Sequence, residues 1–257
     1  MRGMLAVAAI GMMFSGVMPL PGGALGQTAD TAVPLTGEPR HHVVFESPAM
    51  RIHDIQIPPG DTTLYHTHDT AMLYVPIASS RTRSQVMGAE WSGGGAAPPP
   101  AGAAAAPAPA EPVRPGKVNS VITYVETPYT HRVNNVGATV FRLLGIANRT
   151  AGATADSDDV SGLSTRPELE NRWYRAHRLV LKAAEATPPH RHATTVVVVM
   201  QTAGSASSTG EAAASWHPLN GPGDFARYDA AGLHIVRNVG PGDVELVEVE
   251  VRGTAPR

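Results

Sequence analysis

Apolar and polar residues alternate along short segments of this chain, and no long amphipathic helix interrupts them. Met50–Ile57 (MRIHDIQI) sets Ile52, Asp54 and Gln56 against Arg51, His53, Ile55 and Ile57, the two-residue period of a half-buried strand. Pro58-Pro59-Gly60-Asp61 then reads as a turn. Residues 71–77, 81–87, 118–125 and 139–146 continue the strand pattern. Later in the chain so do Tyr174–Leu181, residues 194–200, 224–228 and 233–237, and Val244–Val251. A short helical turn is expected over residues 167–171, and an extended polar arm between Gln27 and Arg40. Many short strands with frequent turns predict an all-β sandwich or barrel.

Two stretches break the pattern. Residues 93–115 are rich in Gly, Ala and Pro and nearly uncharged, and their prolines block both helix and ladder, so a disordered surface loop is expected. Residues 150–166 begin small and polar and are expected to link two domains, at 41–149 and 167–253. The start of the chain reads as a signal peptide over residues 1–26. Arg2 gives a positive charge, residues 5–18 are almost wholly apolar, and Ala24-Leu25-Gly26 places small residues for cleavage before Gln27. The apolar stretch is short of the ~20 residues a spanning helix needs. A periplasmic or secreted protein without stable membrane insertion after cleavage is therefore expected.

The two halves are related, and the relation changes the picture most. Arg51, His53, His66 and His68 recur 124 positions later as Arg175, His177, His190 and His192. His131, Asn135, Val136 and Gly137 recur 103 positions later as His234, Asn238, Val239 and Gly240. The loop at 93–115, with only a short counterpart around residues 205–214, accounts for the difference between the offsets.

Composition narrows the chemistry. The net charge is -2 and no basic run stands out, which argues against a nucleic-acid partner. With no cysteine, a disulfide framework, a thiolate metal site and a catalytic thiol are excluded. Histidine is the residue to follow, because the 11 present are clustered.

In these motifs the chain resembles the cupin superfamily. Gly60, five residues, then His66-x-His68 is similar to the first cupin motif, and His131-x3-Asn135 to the end of the second. The second half has His190-x-His192 and His234-x3-Asn238, with Ala184 where the leading Gly would stand. The resemblance runs from about Phe45 to Val251 apart from the loop and linker, and implies two tandem cupin-type (double-stranded β-helix, jelly-roll) barrels, a bicupin. The motif's glutamate is missing: it would fall at Met72 or Leu73, and at Val196 or Val197. Asp69 or Glu126 could replace it only if a turn swings one inward.

Residues two apart on a strand share a face, so His66 and His68 can converge with His131 inside a barrel. Three imidazoles suit a divalent transition metal: Fe, Mn, Cu, Ni or Zn. Neutral ligands leave the ion's charge intact and favour a small anionic or enolic ligand. His66, His68 and His131 form the expected metal site. His190, His192 and His234 are the second candidate, because the apolar run Val196 to Val199 offers nothing polar to orient a substrate. Tyr74, at the matching place in the first half, is the expected catalytic group. The resemblance implies a metal-dependent oxygenase, since three-histidine cupins include non-haem iron dioxygenases. The alternatives are a non-catalytic small-molecule-binding module and a storage bicupin.

Four further expectations follow. Arg51/His53 and Arg175/His177 read as strand-edge polar pairs, and Asn135 and Asn238 as braces behind the histidines. Trp91 and Trp216 suit core or pocket wall equally, and Asn148-Arg149-Thr150 matches a glycosylation sequon.

Overall fold

The computed structural model describes residues 31–93, 116–153, 163, 165–210, 217–229 and 232–253. The expected signal peptide, the loop after Gly93, most of the linker and Trp216 lie outside the described residues.

The first half contains β1 (Val33–Pro34), β2 (His41–Glu46), β3 (Met50–Ile57), β4 (His66–His68), β5 (Ala71–Ala78), β6 (Thr82–Val86), β7 (Trp91–Gly93), β8 (Asn119–Val121), β9 (Tyr129–Asn135) and β10 (Phe141–Asn148). The second contains β11 (Leu169–Glu170), β12 (Tyr174–Leu181), β13 (Thr195–Met200), β14 (Ala206–Gly210), β15 (His217–Leu219), β16 (Phe225–Tyr228), β17 (His234–Asn238) and β18 (Val244–Val251).

Each half is built from two sheets. In the first they run β1-β4-β9-β6-β7 and β2-β3-β10-β5-β8; in the second, β11-β12-β18-β13-β16 and β15-β14-β17. The fold is all-β, a cupin-type double-stranded β-helix present twice.

The halves meet through a shared core. Met50, Ile52, Leu73, Leu144 and Ile146 pack in one buried cluster with Trp173, Tyr174, Val197, Val247 and Val249. Val196 and Val198 face the other way, into a cluster with Leu179, Leu181 and Leu246 inside the second barrel. The unbroken run Val196 to Val199 thus belongs to a strand buried on both faces.

Asn135 braces the turn behind His131: its amide donates to Ile57 O and Thr139 O, both at 2.8 Å, and its Oδ1 accepts from Gly137 N at 3.0 Å. Asn238 repeats all three bonds with Leu181 O, Gly242 O and Gly240 N. At the start of each motif the backbone is left-handed, with φ 78° at Gly60 and 65° at Ala184.

Several local expectations are corrected. Residues 167–171 hold a strand, β11, not a helical turn, because Leu169 and Glu170 pair with β12. The strand expected over 118–125 ends at Val121, and Thr123–Val125 is a 3-10 turn. Residues 206–210, expected in a loop, form β14 against β17. The arm is partly ordered: Val33–Pro34 pairs in parallel with β4, and Glu38 is buried. β3 lies between β2 and β10, and β12 between β11 and β18, so neither is an edge. His53 and His177 are accordingly buried. Asn148 of the sequon is fully buried and donates to Trp173 O and Arg252 O, each at 2.9 Å, so it is closed to modification in this fold. Trp91 carries the guanidinium groups of Arg83 and Arg132 at 4.5 and 5.0 Å.

Candidate metal centres

β4 and β9 pair antiparallel with His66 opposite His131, which brings the first three histidines together. The His66 and His131 ring centroids are 4.7 Å apart, and His68 Nε2 lies 3.1 Å from His131 Nε2. Two nitrogens bound to one ion at ~2.1 Å stand roughly 3.0–3.4 Å apart, so this spacing suits a shared metal.

A fourth imidazole, not foreseen from sequence, joins them. His41 opens β2, its ring 4.5 Å from that of His66. One ligand nitrogen from each of His41, His66 and His68 falls within 4.8 Å of the others.

The outer hydrogen bonds orient these rings. Nδ1 of His41 meets Glu38 Oε2 at 2.6 Å, Nδ1 of His66 meets Leu64 O at 2.9 Å, and Nδ1 of His131 meets Ser84 Oγ at 3.0 Å. A carboxylate or carbonyl partner makes Nδ1 the protonated nitrogen, leaving the Nε2 lone pair free. His66 Nε2 is buried and has no hydrogen-bond partner. An inward-facing lone pair of this kind is what a cation would satisfy. Burial and neighbouring imidazoles keep the rings neutral: His131 is lowered to about 3, and His41 and His68 fall well below the usual range.

The second cluster is built differently. His190, His192 and His234 gather with Glu248, all four buried. Glu248 Oε2 lies 3.0 Å from His190 Nε2 and 3.2 Å from His192 Nε2, and Oε1 lies 3.3 Å from His234 Nε2. Nδ1 of His190 is committed to Pro188 O at 2.8 Å, and Nδ1 of His192 to Glu250 Oε1 at 2.9 Å. With neutral rings, the Nε2 lone pairs of His190 and His192 would face Glu248 Oε2, acceptor against acceptor. Something positive must lie between them, a proton or a metal ion. In the metal-free state it is a proton. Burial pulls the His192 pKa down, but its bonds to Glu248 and Glu250 outweigh that and raise it to about 9. Burial raises Glu248, and its bonds to the three histidines outweigh this and hold it well below the usual range.

The residues at both places fit a divalent transition ion: His41, His66 and His68 in the first barrel, with His131 Nε2 beside His68, and three imidazoles and a carboxylate in the second. The expected lack of polar groups in the second barrel is corrected. Glu248 and Glu250 come from β18 rather than from the strand after the histidine pair. Asp69 and Glu126 are exposed and do not supply the missing carboxylate. The missed residues carried one signal: at the 103-residue offset Glu248 stands against Gly145 and Glu250 against Ala147, so the repeats differ there.

The first cluster opens on a cavity of about 270 Å³. Ile55, Ile57, Val133, Phe141 and Leu143 form its apolar wall, and Tyr74, Tyr124, Thr82, Ser84 and Asn119 its polar points. Tyr74 Oη is 3.4 Å from His68 Nδ1, and the Tyr124 ring stacks on His68 at 4.9 Å. Burial raises the Tyr74 phenol well above its usual range, so it stays protonated.

No protein-family model and no curated protein matches the sequence. Among solved structures the chain is similar to AerE from Microcystis aeruginosa, with TM-score 0.53 and 10% identity over 83% of this chain and 98% of that one. It is also similar to a cupin 2 conserved barrel domain protein from Leptotrichia buccalis, with TM-score 0.44 and 10% identity over 82% and 87% of the two chains. Oxalate decarboxylase of Bacillus subtilis gives TM-score 0.48 and 12% identity over 80% of this chain and 70% of that one. At such identities the likeness speaks for the fold alone. In fold the protein is a bicupin, with a buried histidine cluster in each barrel.

Proposed function

We propose that the first barrel is a metal-dependent oxygenase site for a small anionic or enolic compound, and that the second cluster holds a structural metal. The observation that carries this is the apolar cavity set against a cluster of uncharged imidazoles. Among the described residues, no Arg, Lys, Asp or Glu lines that cavity. An anionic head group entering it therefore has no protein cation to meet, and the ion is its natural partner. A divalent ion held there supplies Lewis acidity and, if it is iron, copper or nickel, redox chemistry.

The chain's own contribution is positioning. The aliphatic wall excludes water from the reacting end of the substrate. Tyr74, still protonated, donates a hydrogen bond either to His68 or to a substrate oxygen. The second barrel's interior is packed with Leu179, Leu181, Val198 and Leu246, which favours holding over turnover. The proposal includes export with removal of residues 1–26, supported by the apolar, small-residue start of the chain; N-terminal sequencing of the mature protein checks it.

The test is oxygen consumption by untagged protein loaded in turn with Fe, Mn, Cu, Ni and Zn, against a panel of small enols and carboxylates. Uptake with at least one metal, lost in His131→Ala while the second site keeps its metal, supports the reading. Ligands that bind in the cavity without turnover under every metal would make this a binding module instead.

A further inference from the structure

The second barrel contains a buried carboxylate whose counterpart in the first barrel is missing. Glu250 lies 3.3 Å from Arg175 Nη1 and 4.0 Å from His177 Nε2. Glu170 covers another edge of the same guanidinium at 2.7 Å and approaches Arg252 at 3.7 Å. Two arginines thus meet two glutamates.

The first barrel repeats every member of this group but one. Arg51, His53 and Glu46 stand 124 positions before Arg175, His177 and Glu170, and Arg149 stands 103 before Arg252. Glu46 pairs with Arg51 and, at 2.9 Å, with Arg149. The register is the same too: Arg175 is the cross-strand partner of Glu250, and Arg51 of Ala147. Where the second barrel has a carboxylate, the first has a methyl group.

The space left is not filled. A cavity of about 170 Å³ has Arg51, His53, Thr67, Thr70, Ala147 and Arg149 in its wall. Two nitrogens there are buried and without hydrogen-bond partners, Arg51 Nε and His53 Nε2, and His53 is wholly buried. Buried polar atoms of native proteins nearly always find partners. Asp69 is the one acidic side chain in this wall, and it is exposed. By analogy with the second barrel, two arginines here share one carboxylate, the exposed Glu46, and the buried negative charge is absent.

We propose that this cavity binds a small free carboxylate of the formate or acetate class, which takes the place that Glu250 fills in the second barrel. Arg51 donates to it through its unpartnered Nε, and Arg149 faces it from the same wall. The His53 ring centroid is 6.4 Å from that of His41, so the guest would sit one side chain behind the first metal cluster. The site is separate from the substrate cavity and does not depend on the oxygenase reading.

The experiment is titration of the full chain with ¹³C-labelled formate and acetate, read by NMR line width, against chloride at equal ionic strength. It is run on metal-loaded and on chelator-treated protein. Saturable binding at this cavity is expected in both, and one-to-one in the chelator-treated protein, where no ion competes for the guest. Ala147→Glu, which supplies the missing carboxylate from the chain, should abolish it. Arg51→Met should weaken it by about tenfold or more, the worth of one charge-assisted hydrogen bond. If Ala147→Glu does not fold, Arg51→Met decides alone. Absence of saturable binding to the wild type overturns the proposal. So does binding that vanishes with the metal, or that persists unchanged in the folded variants, since the carboxylate would then be sitting on the ion.

Discussion

Replacing Glu248 by glutamine removes one negative charge from the second cluster and keeps its shape. In the metal-free protein His192 is raised from about 6.5 to about 9, with Glu248 and Glu250 as the causes that outweigh burial. That shift corresponds to roughly 3 kcal/mol, at about 1.4 kcal/mol per unit. Because the folded pKa lies above the unfolded one, this stability is fully present below about pH 6.5. It is lost as the pH rises through about 9. Glu250 still meets His192 Nδ1 at 2.9 Å in the variant, so part of the gain remains. We expect Glu248→Gln to cost about 2–3 kcal/mol at pH 6.5, in keeping with breaking a buried ion pair on one side. At pH 9.5 the gap should fall below about 1 kcal/mol, because a neutral His192 no longer prefers the carboxylate. Equilibrium urea unfolding of chelator-treated wild type and variant at the two pH values measures it. A gap that is equal at both, or under ~1 kcal/mol at pH 6.5, would refute the proton-holding account of this cluster.

The first barrel should respond to pH in the opposite sense. Burial lowers His131 to about 3 and His53 to about 4, so stability is full above the unfolded value near 6.5 and falls as the pH drops toward these values. Together they should cost about 3 kcal/mol per pH unit between roughly pH 6 and 4 in chelator-treated protein, measured by urea midpoints, and His131→Gln should flatten the slope. Glu38→Gln should weaken metal binding at the first site by about 10–100-fold by loosening His41, leaving the second site unchanged in chelator competition. Ala184→Gly should stabilise the protein by about 0.5–1 kcal/mol, because alanine at φ 65° carries a left-handed penalty that glycine lacks; a lower melting temperature would contradict this.

The repeat made the fold legible before any coordinates, because pairs such as Asn135 and Asn238 do the same structural work at the same place. Strand boundaries from alternation hold closely for Met50–Ile57, Tyr174–Leu181 and Val244–Val251. The ligand set was less legible for two physical reasons. Glu38 comes from the arm and His41 opens β2, both ahead of the first motif, and nothing local marks Glu38, set beside Pro39 and Gly37, as buried. Glu248 and Glu250 alternate with Val247, Val249 and Val251, which reads as a strand with one wet face. Here the valines face the other barrel and the glutamates face their own interior, so both sides are dry.

The central claim is that each barrel holds an ion in its histidine cluster. Anomalous diffraction from crystals of untagged protein reconstituted with one transition metal tests it most directly. The account predicts one peak among His41, His66, His68 and His131, lost in His66→Ala, and a second among His190, His192, His234 and Glu248, lost in His234→Ala. Crystals that show no peak at either cluster after reconstitution with each of Fe, Mn, Cu, Ni and Zn would contradict it.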